Sequence, residues 1–335
     1  MIITVSAPAK LILMGEHSVV FGKPSIVTAI NKRCFITLKK SRIHKIKVYL
    51  AKHLEGGRNA CLPAGRDSFE VKEAVNFISQ ILKLFSQKFS RTKIPHLEIT
   101  IRSEIPIGVG LGSSAALSVS LMGALSQYIN NLWNPQTINE YAYEAEKIIH
   151  GNPSGVDNST VSFGGLIWYR KEFEFLKSIW SLPIKSYHLP KLLLVNTEKP
   201  EETTGEMIHH VQKLFNKNPK KISSVLNNQE IITKEFLLAL KNNEFEKLIK
   251  TIRQSERNLE SLGVVGQKAQ KLIRTIEKKG GAAKISGAGG TKSASGIILT
   301  IHKDLKILEE IARAHNYEYF SVKTGEEGIR LEKSE

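Results

Sequence analysis

The chain has 335 residues, of which 41% are hydrophobic, 7% aromatic and 24% charged, with no long low-complexity or Pro/Gly-rich tract, a balance that excludes wholesale disorder. That length exceeds what one hydrophobic core usually fills, so two packed units with a cleft between them are expected. The 48 Lys and Arg outnumber 32 Asp and Glu, leaving a formal charge of +16 that attracts anions without choosing which anion.

The longest apolar runs, residues 191–195 and 296–301, are too short to span a bilayer, and Met1-Ile-Ile-Thr-Val-Ser6 leads to no cleavage site. An uncleaved, cytoplasmic protein without membrane insertion is therefore expected. Cys34 and Cys61 form no CxxC pattern, which points to reduced thiols.

In chain order, residues 2–7 and 34–39 are β-branched and read as early strands. The basic stretch 39–47, with Ile43, Ile46 and Val48, reads as a solvated hairpin rather than a basic tail, with a binding patch as the alternative, and 96–103 alternates as a strand. A glycine cluster then leads into a helix over 113–129, followed by a second helix over 137–149 and a strand over 166–169. The segment 183–190 reads as the passage between units, which divides the chain into 1–188 and 189–335. Residues 203–279 carry helical periodicity, and strands return at 281–286, 293–301 and 319–324, with no internal repeat.

Three stretches carry chemistry. Pro106-Ile-Gly-Val-Gly-Leu-Gly-Ser-Ser-Ala-Ala116 runs into a helix, and glycines before free helix N–H groups let an anion approach closely. The same pattern also suits an ordinary capped strand-to-helix turn. Familiar phosphate loops do not match. Gly22-Lys23 is followed by Pro24, and His17 stands where a Walker A loop needs glycine. The spacing of Gly108, Gly110 and Gly112 misses the dinucleotide fingerprint, and neither DFG nor HRD occurs. The other two stretches are Ser6-Ala-Pro-Ala-Lys-Leu-Ile-Leu-Met-Gly-Glu-His17 and Lys284-Ile-Ser-Gly-Ala-Gly-Gly290.

In this order the three stretches resemble the three motifs of the GHMP small-molecule kinases, from Ser6 to about Gly296. Glu146-Lys-Ile-Ile-His-Gly-Asn-Pro-Ser-Gly-Val-Asp-Asn158 is similar to the mevalonate kinase branch of that family. The resemblance implies an α+β, two-domain GHMP kinase fold: a ribosomal-protein-S5-like N-terminal domain, a ferredoxin-like C-terminal domain and the active site in the cleft between them. It further implies transfer of the γ-phosphoryl group of ATP to the primary hydroxyl of mevalonate, with Mg2+, in isoprenoid precursor synthesis. A small molecule is then the partner rather than nucleic acid, since no arginine-aromatic interleaving marks the chain. A homodimer is left open. So are a related kinase acting on phosphomevalonate or a sugar, and an inactive binding protein of the same fold.

By the same resemblance, Asp157 is the catalytic carboxylate and Lys10 its partner, while Ser114 and Glu146 are the magnesium ligands. Gly108, Gly110, Gly112, Ser113 and Ser114 fall to the ATP phosphates, and Gly287, Ala288 and Gly289 hold that loop from the second domain. Glu16 and His17 belong to the substrate end, and His150 and Asn152 shape the turn before Asp157. Three places depart from the family pattern, the smallest being Pro8-Ala9-Lys10 where members commonly read Pro-Gly-Lys. Side chains of Thr291, Lys292 and Ser293 replace further glycines, and Glu201-Glu202 stand where relatives often carry a basic residue. Lys292 reads either as an additional phosphate contact or as a solvated cation.

Overall fold

The protein is described by a computed structural model covering residues 1–53, 59–63, 69–90, 93–151, 153–173 and 175–334. Asn152 lies outside the described residues, as does the side chain of His150. Two sheets organise the chain. The first has the order β12-β1-β2-β5-β3-β4, built from β1 (Ile2–Met14), β2 (Ser25–Lys40), β3 (Lys45–His53), β4 (Asn59–Pro63), β5 (Leu97–Ser103) and the C-terminal β12 (Arg330–Ser334). A hairpin of β6 (Leu166–Lys171) and β7 (Lys177–Leu182) attaches to β2.

In β5 the residues Leu97, Ile99, Ile101 and Ser103 are buried while their neighbours are less so, the period-two pattern of a strand with one face on a core. The strong alternation explains why the expected hairpin at 39–47 does not form. β5 takes the place beside β2, pairing antiparallel with it, and β3 joins the far side of β5 in parallel register. The apolar strand goes to the interior of the sheet, and the lysine-rich one is displaced outward.

Among the described residues, four helices belong to this unit: α1 (Phe69–Lys88), α2 (Ser113–Asn130), α3 (Pro135–His150) and α4 (Val156–Phe163). The start of α3 is set by Asn134, whose side chain accepts from the Thr137 N–H, with Pro135 in the first turn. Helix α2 is buried through most of its length, with Ala115, Ala116, Val119 and Leu121 inside, and it packs on β1 and β2.

The second sheet has the antiparallel order β11-β8-β10-β9, from β8 (Leu192–Asn196), β9 (Ala282–Ser286), β10 (Ile297–Ile301) and β11 (Glu318–Val322). Counted within the unit this is 4-1-3-2, the ferredoxin-like arrangement. Helices α5 (Thr204–Lys217), α6 (Pro219–Asn242), α7 (Phe245–Ser261) and α8 (Gln267–Lys278) lie between its first two strands, and α9 (Leu305–Ala314) precedes the last. Successive β8 side chains serve different cores: Leu192 and Leu194 join the one that includes Val5, Ile36 and Phe236, and Leu193 and Val195 join one with Leu272 and Ile285. The second sheet is thus apolar on both faces, which is why its strands read as continuous runs rather than alternating ones. Among the described residues no helix is long and apolar enough to cross a membrane.

The first sheet regains the chain's end, because β12 pairs with the outer edge of β1, although sequence reasoning assigns residues 330–334 to the second unit. Buried Arg33 secures the return. Its guanidinium donates to the Ser6 hydroxyl at 2.7 Å, the Ser6 carbonyl at 3.1 Å, the Glu327 carbonyl at 2.9 Å and the Gly328 carbonyl at 2.7 Å. Arg33→Met is expected to cost on the order of 3 kcal/mol, because a buried donor that serves several carbonyls is lost at once. The urea midpoint measures this, and an unchanged midpoint would show that Arg33 does not hold the C-terminal segment.

Candidate active site

The middle glycine motif enters α2 through Gly112, a left-handed cap with no side-chain hydrogen bond to the first-turn N–H groups. The loop before it is pressed against the third motif, backbone on backbone. Gly110 has φ of 95°, and a Cβ there would stand 2.5 Å from the Ser286 carbonyl oxygen. A Cβ on Gly287 would stand 3.0 Å from the Gly110 Cα. Only residues without side chains allow the two loops to meet so closely.

The first motif supplies Lys10, one half of an ion pair that faces the cleft. The Lys10 N–H donates to the Leu111 carbonyl at 3.1 Å, which ties β1 to the loop, and its aliphatic stem runs beside Gly112. The Lys10 ammonium is 3.1 Å from Asp157 Oδ1, with the lysine 3% and the aspartate 37% exposed. Asp157 lies in the first turn of α4, behind the left-handed cap Gly155. The Tyr169 hydroxyl donates to the Ser154 carbonyl and steadies that turn. One partner is thus buried and fixed, and the other opens to the cleft.

Ser114 and Glu146 also meet. The Ser114 hydroxyl lies 3.5 Å from Glu146 Oε2, and the Ser118 hydroxyl donates to Oε1 at 3.0 Å. Glu146 is 2% exposed yet lines the cleft, so α2 and α3 present two hard oxygen donors side by side. Among the described residues no three His, Cys, Asp or Glu side chains cluster as a closed metal cage. An open pair of oxygens suits magnesium, which keeps several waters and substrate oxygens in its shell.

Glu16 and His17 are turned toward the third motif. Glu16 forms a fully buried ion pair with Lys284 of β9, and His17 Nε2 lies 2.9 Å from the Ala288 carbonyl. The Ser286 hydroxyl donates to the Ile12 carbonyl and accepts from its N–H, both at 3.1 Å. Burial pushes the Glu16 carboxyl up, an effect partly offset by the Lys284 ammonium. Burial lowers the His17 imidazole to about 4, so it is neutral and donates from Nε2. Glu256 of α7 lies behind the same strand, accepting from the Ile285 N–H at 3.1 Å, and burial holds its carboxyl well above the usual range.

Sequence reasoning missed Lys284 and Glu256. The signal for Lys284 was a single charge within Ala282-Ala-Lys-Ile-Ser286, a strand with every residue buried. Glu256 had none, since a glutamate on an amphipathic helix ordinarily faces water. Two of the family departures meet each other. Lys292 pairs with Glu201 at 2.6 Å, both on the surface, and the Thr291 hydroxyl and N–H both donate to Glu202 Oε1.

These motifs line a cleft of about 790 Å³ reaching from Val48 and Phe77 to Ile208. Gly110→Ala is expected to force the glycine loops apart and to lower turnover at least about tenfold, and also to lower the melting temperature, because a Cβ at that positive φ is strained and meets the Ser286 carbonyl oxygen. Wild-type turnover would show that the close approach is not needed. His17 makes a separate prediction for stability. Its folded value near 4 lies below the ordinary 6.5, so its contribution is full above pH 6.5 and is lost as pH falls toward 4, up to about 3 kcal/mol. Comparing urea unfolding of wild type and His17→Gln at pH 7 and 4.5 isolates this term, and parallel losses in the two proteins would remove His17 as its source.

Comparison with known proteins gives a consistent result. The family described as GHMP kinases N terminal domain matches residues 76–165. Mevalonate kinase of Pyrococcus furiosus is 30% identical over 297 residues, covering 85% of this chain and 86% of that protein. Mevalonate kinase of Mus musculus is 30% identical over 341 residues, covering 85% and 83%. Among solved structures, L. major mevalonate kinase in complex with R-mevalonate has a TM-score of 0.76 at 19% identity, covering 96% and 95%. The Methanococcus jannaschii mevalonate kinase has 0.73 at 23%, covering 97% and 98%. With three motifs gathered in one cleft and this similarity across most of its length, the chain belongs to the mevalonate kinase family of the GHMP small-molecule kinases.

Proposed function

We propose that this kinase transfers the γ-phosphoryl group of ATP to the primary hydroxyl of mevalonate, giving 5-phosphomevalonate. The observation that carries the reading is the Lys10–Asp157 pair at 3.1 Å, set between the start of α2 and the open cleft. Phosphoryl transfer asks a protein chiefly to align donor and acceptor and to neutralise charge on the moving group. Asp157, on the open side, is placed to accept or orient the proton of the acceptor hydroxyl. Lys10, held by burial, stabilises the negative charge that develops on that oxygen.

The N–H groups at the start of α2, with Gly108, Gly110, Gly112 and Ser113, bind the phosphates of ATP. Gly287, Ala288 and Gly289 support that loop from the second unit. Ser114 and Glu146 would hold Mg2+, which when bound supplies charge neutralisation for the triphosphate. Glu16 and His17 act at the substrate end by fixing the turn that follows Lys10, since Glu16 Oε1 is engaged by the Lys284 ammonium and His17 Nε2 by the Ala288 carbonyl.

ADP release with mevalonate as the only acceptor tests the reaction, with phosphomevalonate and galactose run beside it. Release with either of those and not with mevalonate would replace the substrate. Asp157→Asn is expected to keep ATP binding and lower kcat by roughly 100-fold or more, the usual contribution of a positioned proton acceptor. Near-normal kcat in a folded variant would remove Asp157 from the chemistry.

A further inference from the structure

Strand β9 is the outer strand of the second sheet and pairs on one side only, with β10. Every residue of it from Ala282 to Ser286 is nevertheless buried, so the backbone groups that point away from β10 need partners that a neighbouring strand would otherwise supply. Helix α7 packs against β9 and supplies them from its side chains. Before the strand begins, the Arg253 guanidinium donates from Nε to the Gly281 carbonyl at 3.0 Å. One helical turn later, Glu256 Oε2 accepts from the Ile285 N–H at 3.1 Å, while the Ile285 carbonyl accepts from the Lys284 ammonium at 2.8 Å. Both polar groups of Ile285 are thus met by buried ionisable side chains in place of a strand.

Ile285 stands at the point where the second unit meets the first. Lys284 before it pairs with Glu16, and Ser286 after it exchanges hydrogen bonds with the Ile12 backbone. Gly287 then opens the third motif against Gly110. Glu256 itself is fully buried and is absent from the described residues that line the cleft. Its other oxygen, Oε1, has no hydrogen-bond partner among the described residues, and the cations around it are engaged elsewhere, Lys284 by Glu16 and Arg257 by Glu260 and Glu277. A carboxyl buried under those conditions keeps its proton and accepts the Ile285 N–H as a neutral group. One such bond adds little to net stability. Its effect is on geometry, because it holds the last residues of β9 at the height where their neighbours reach β1 and where the glycine loops touch.

We propose that Glu256 is a positioning residue of the phosphoryl-transfer site: from α7 it stands in for a missing strand at the edge of β9 and so sets where the third glycine motif meets the phosphate loop. The proposal rests on the kinase reading above. Arg253 covers the far end of the same edge, away from the motif, and provides the control for stability alone.

The test compares steady-state kinetics and melting temperature for Glu256→Gln, Glu256→Met and Arg253→Met. The glutamine amide oxygen accepts the same N–H at the same reach, so that variant is expected to stay within about twofold of wild type. The methionine variant leaves the N–H unpartnered, and kcat/KM for ATP is expected to fall about 5- to 20-fold. Arg253→Met is expected to lower the melting temperature as Glu256→Met does, with its kinetic constants kept. Wild-type kinetics in a folded methionine variant overturn the proposal, and so does a glutamine variant as impaired as the methionine one, which would mean that charge rather than acceptance matters. Equal kinetic losses in Arg253→Met and Glu256→Met overturn it too, since they would report general loosening of β9. Amide hydrogen exchange on the wild-type protein decides the matter even where a variant fails to fold: slow exchange at Ile285 is expected, and exchange as fast as that of an exposed amide shows that Glu256 does not hold it. Failure of the wild type to release ADP with mevalonate would bring down the kinase reading instead, and leaves the amide measurement standing apart from it.

Discussion

A carboxylate and an ammonium taken wholly out of water are tolerated only in each other's company, and Glu16 and Lys284 are such a pair. Desolvating both costs several kcal/mol per ion before their attraction is counted, so the pair is weak evidence for net stability. Its consequence is geometric. Glu16 follows β1 and Lys284 lies in β9, and any sliding of one unit past the other would strand a buried charge. The contacts of Ser286 with Ile12 and of His17 with Ala288, and the approach of Gly110 to Gly287, all depend on that register. The cleft therefore has a rigid floor made of the first and third motifs.

The altered third loop shows how a departure from a family pattern is absorbed. Side chains in place of glycines bring a positive charge and two hydroxyls into a loop beside a site for anions. The charge and one of the hydroxyls meet acids from one neighbouring segment, Lys292 with Glu201 and Thr291 with Glu202. At the surface such an ion pair contributes little energy, yet it decides which way the side chains point. Two changes that look unfavourable separately are complementary together.

How much of this was legible in the sequence follows from where each residue's partner lies. The glycine loops, Lys10, Ser114, Glu146 and Asp157 were legible through the resemblance of their stretches to the family's motifs, and the structure brings them to one cleft. The helix after the middle motif was readable because Ser113 to Asn130 is apolar nearly all round. The hairpin at 39–47 was misread because strand order depends on competition between segments far apart in sequence, which β5 wins by its apolar face. Lys284 escaped notice because its meaning lies in a partner 268 residues away. The same holds for Glu201 and Lys292, which are noticeable as anomalies but join only in three dimensions.

The pairing of β12 with β1 sets Ile3 opposite Ser334. β1 and β12 thus belong to one sheet, and the second unit is an insertion bounded by two strands of the first. During synthesis the outer edge of β1 emerges long before its partner. An unpaired strand edge invites pairing with other chains, and this edge waits through the translation of the whole second unit. Completion of the first sheet then comes only once β12 has left the exit tunnel.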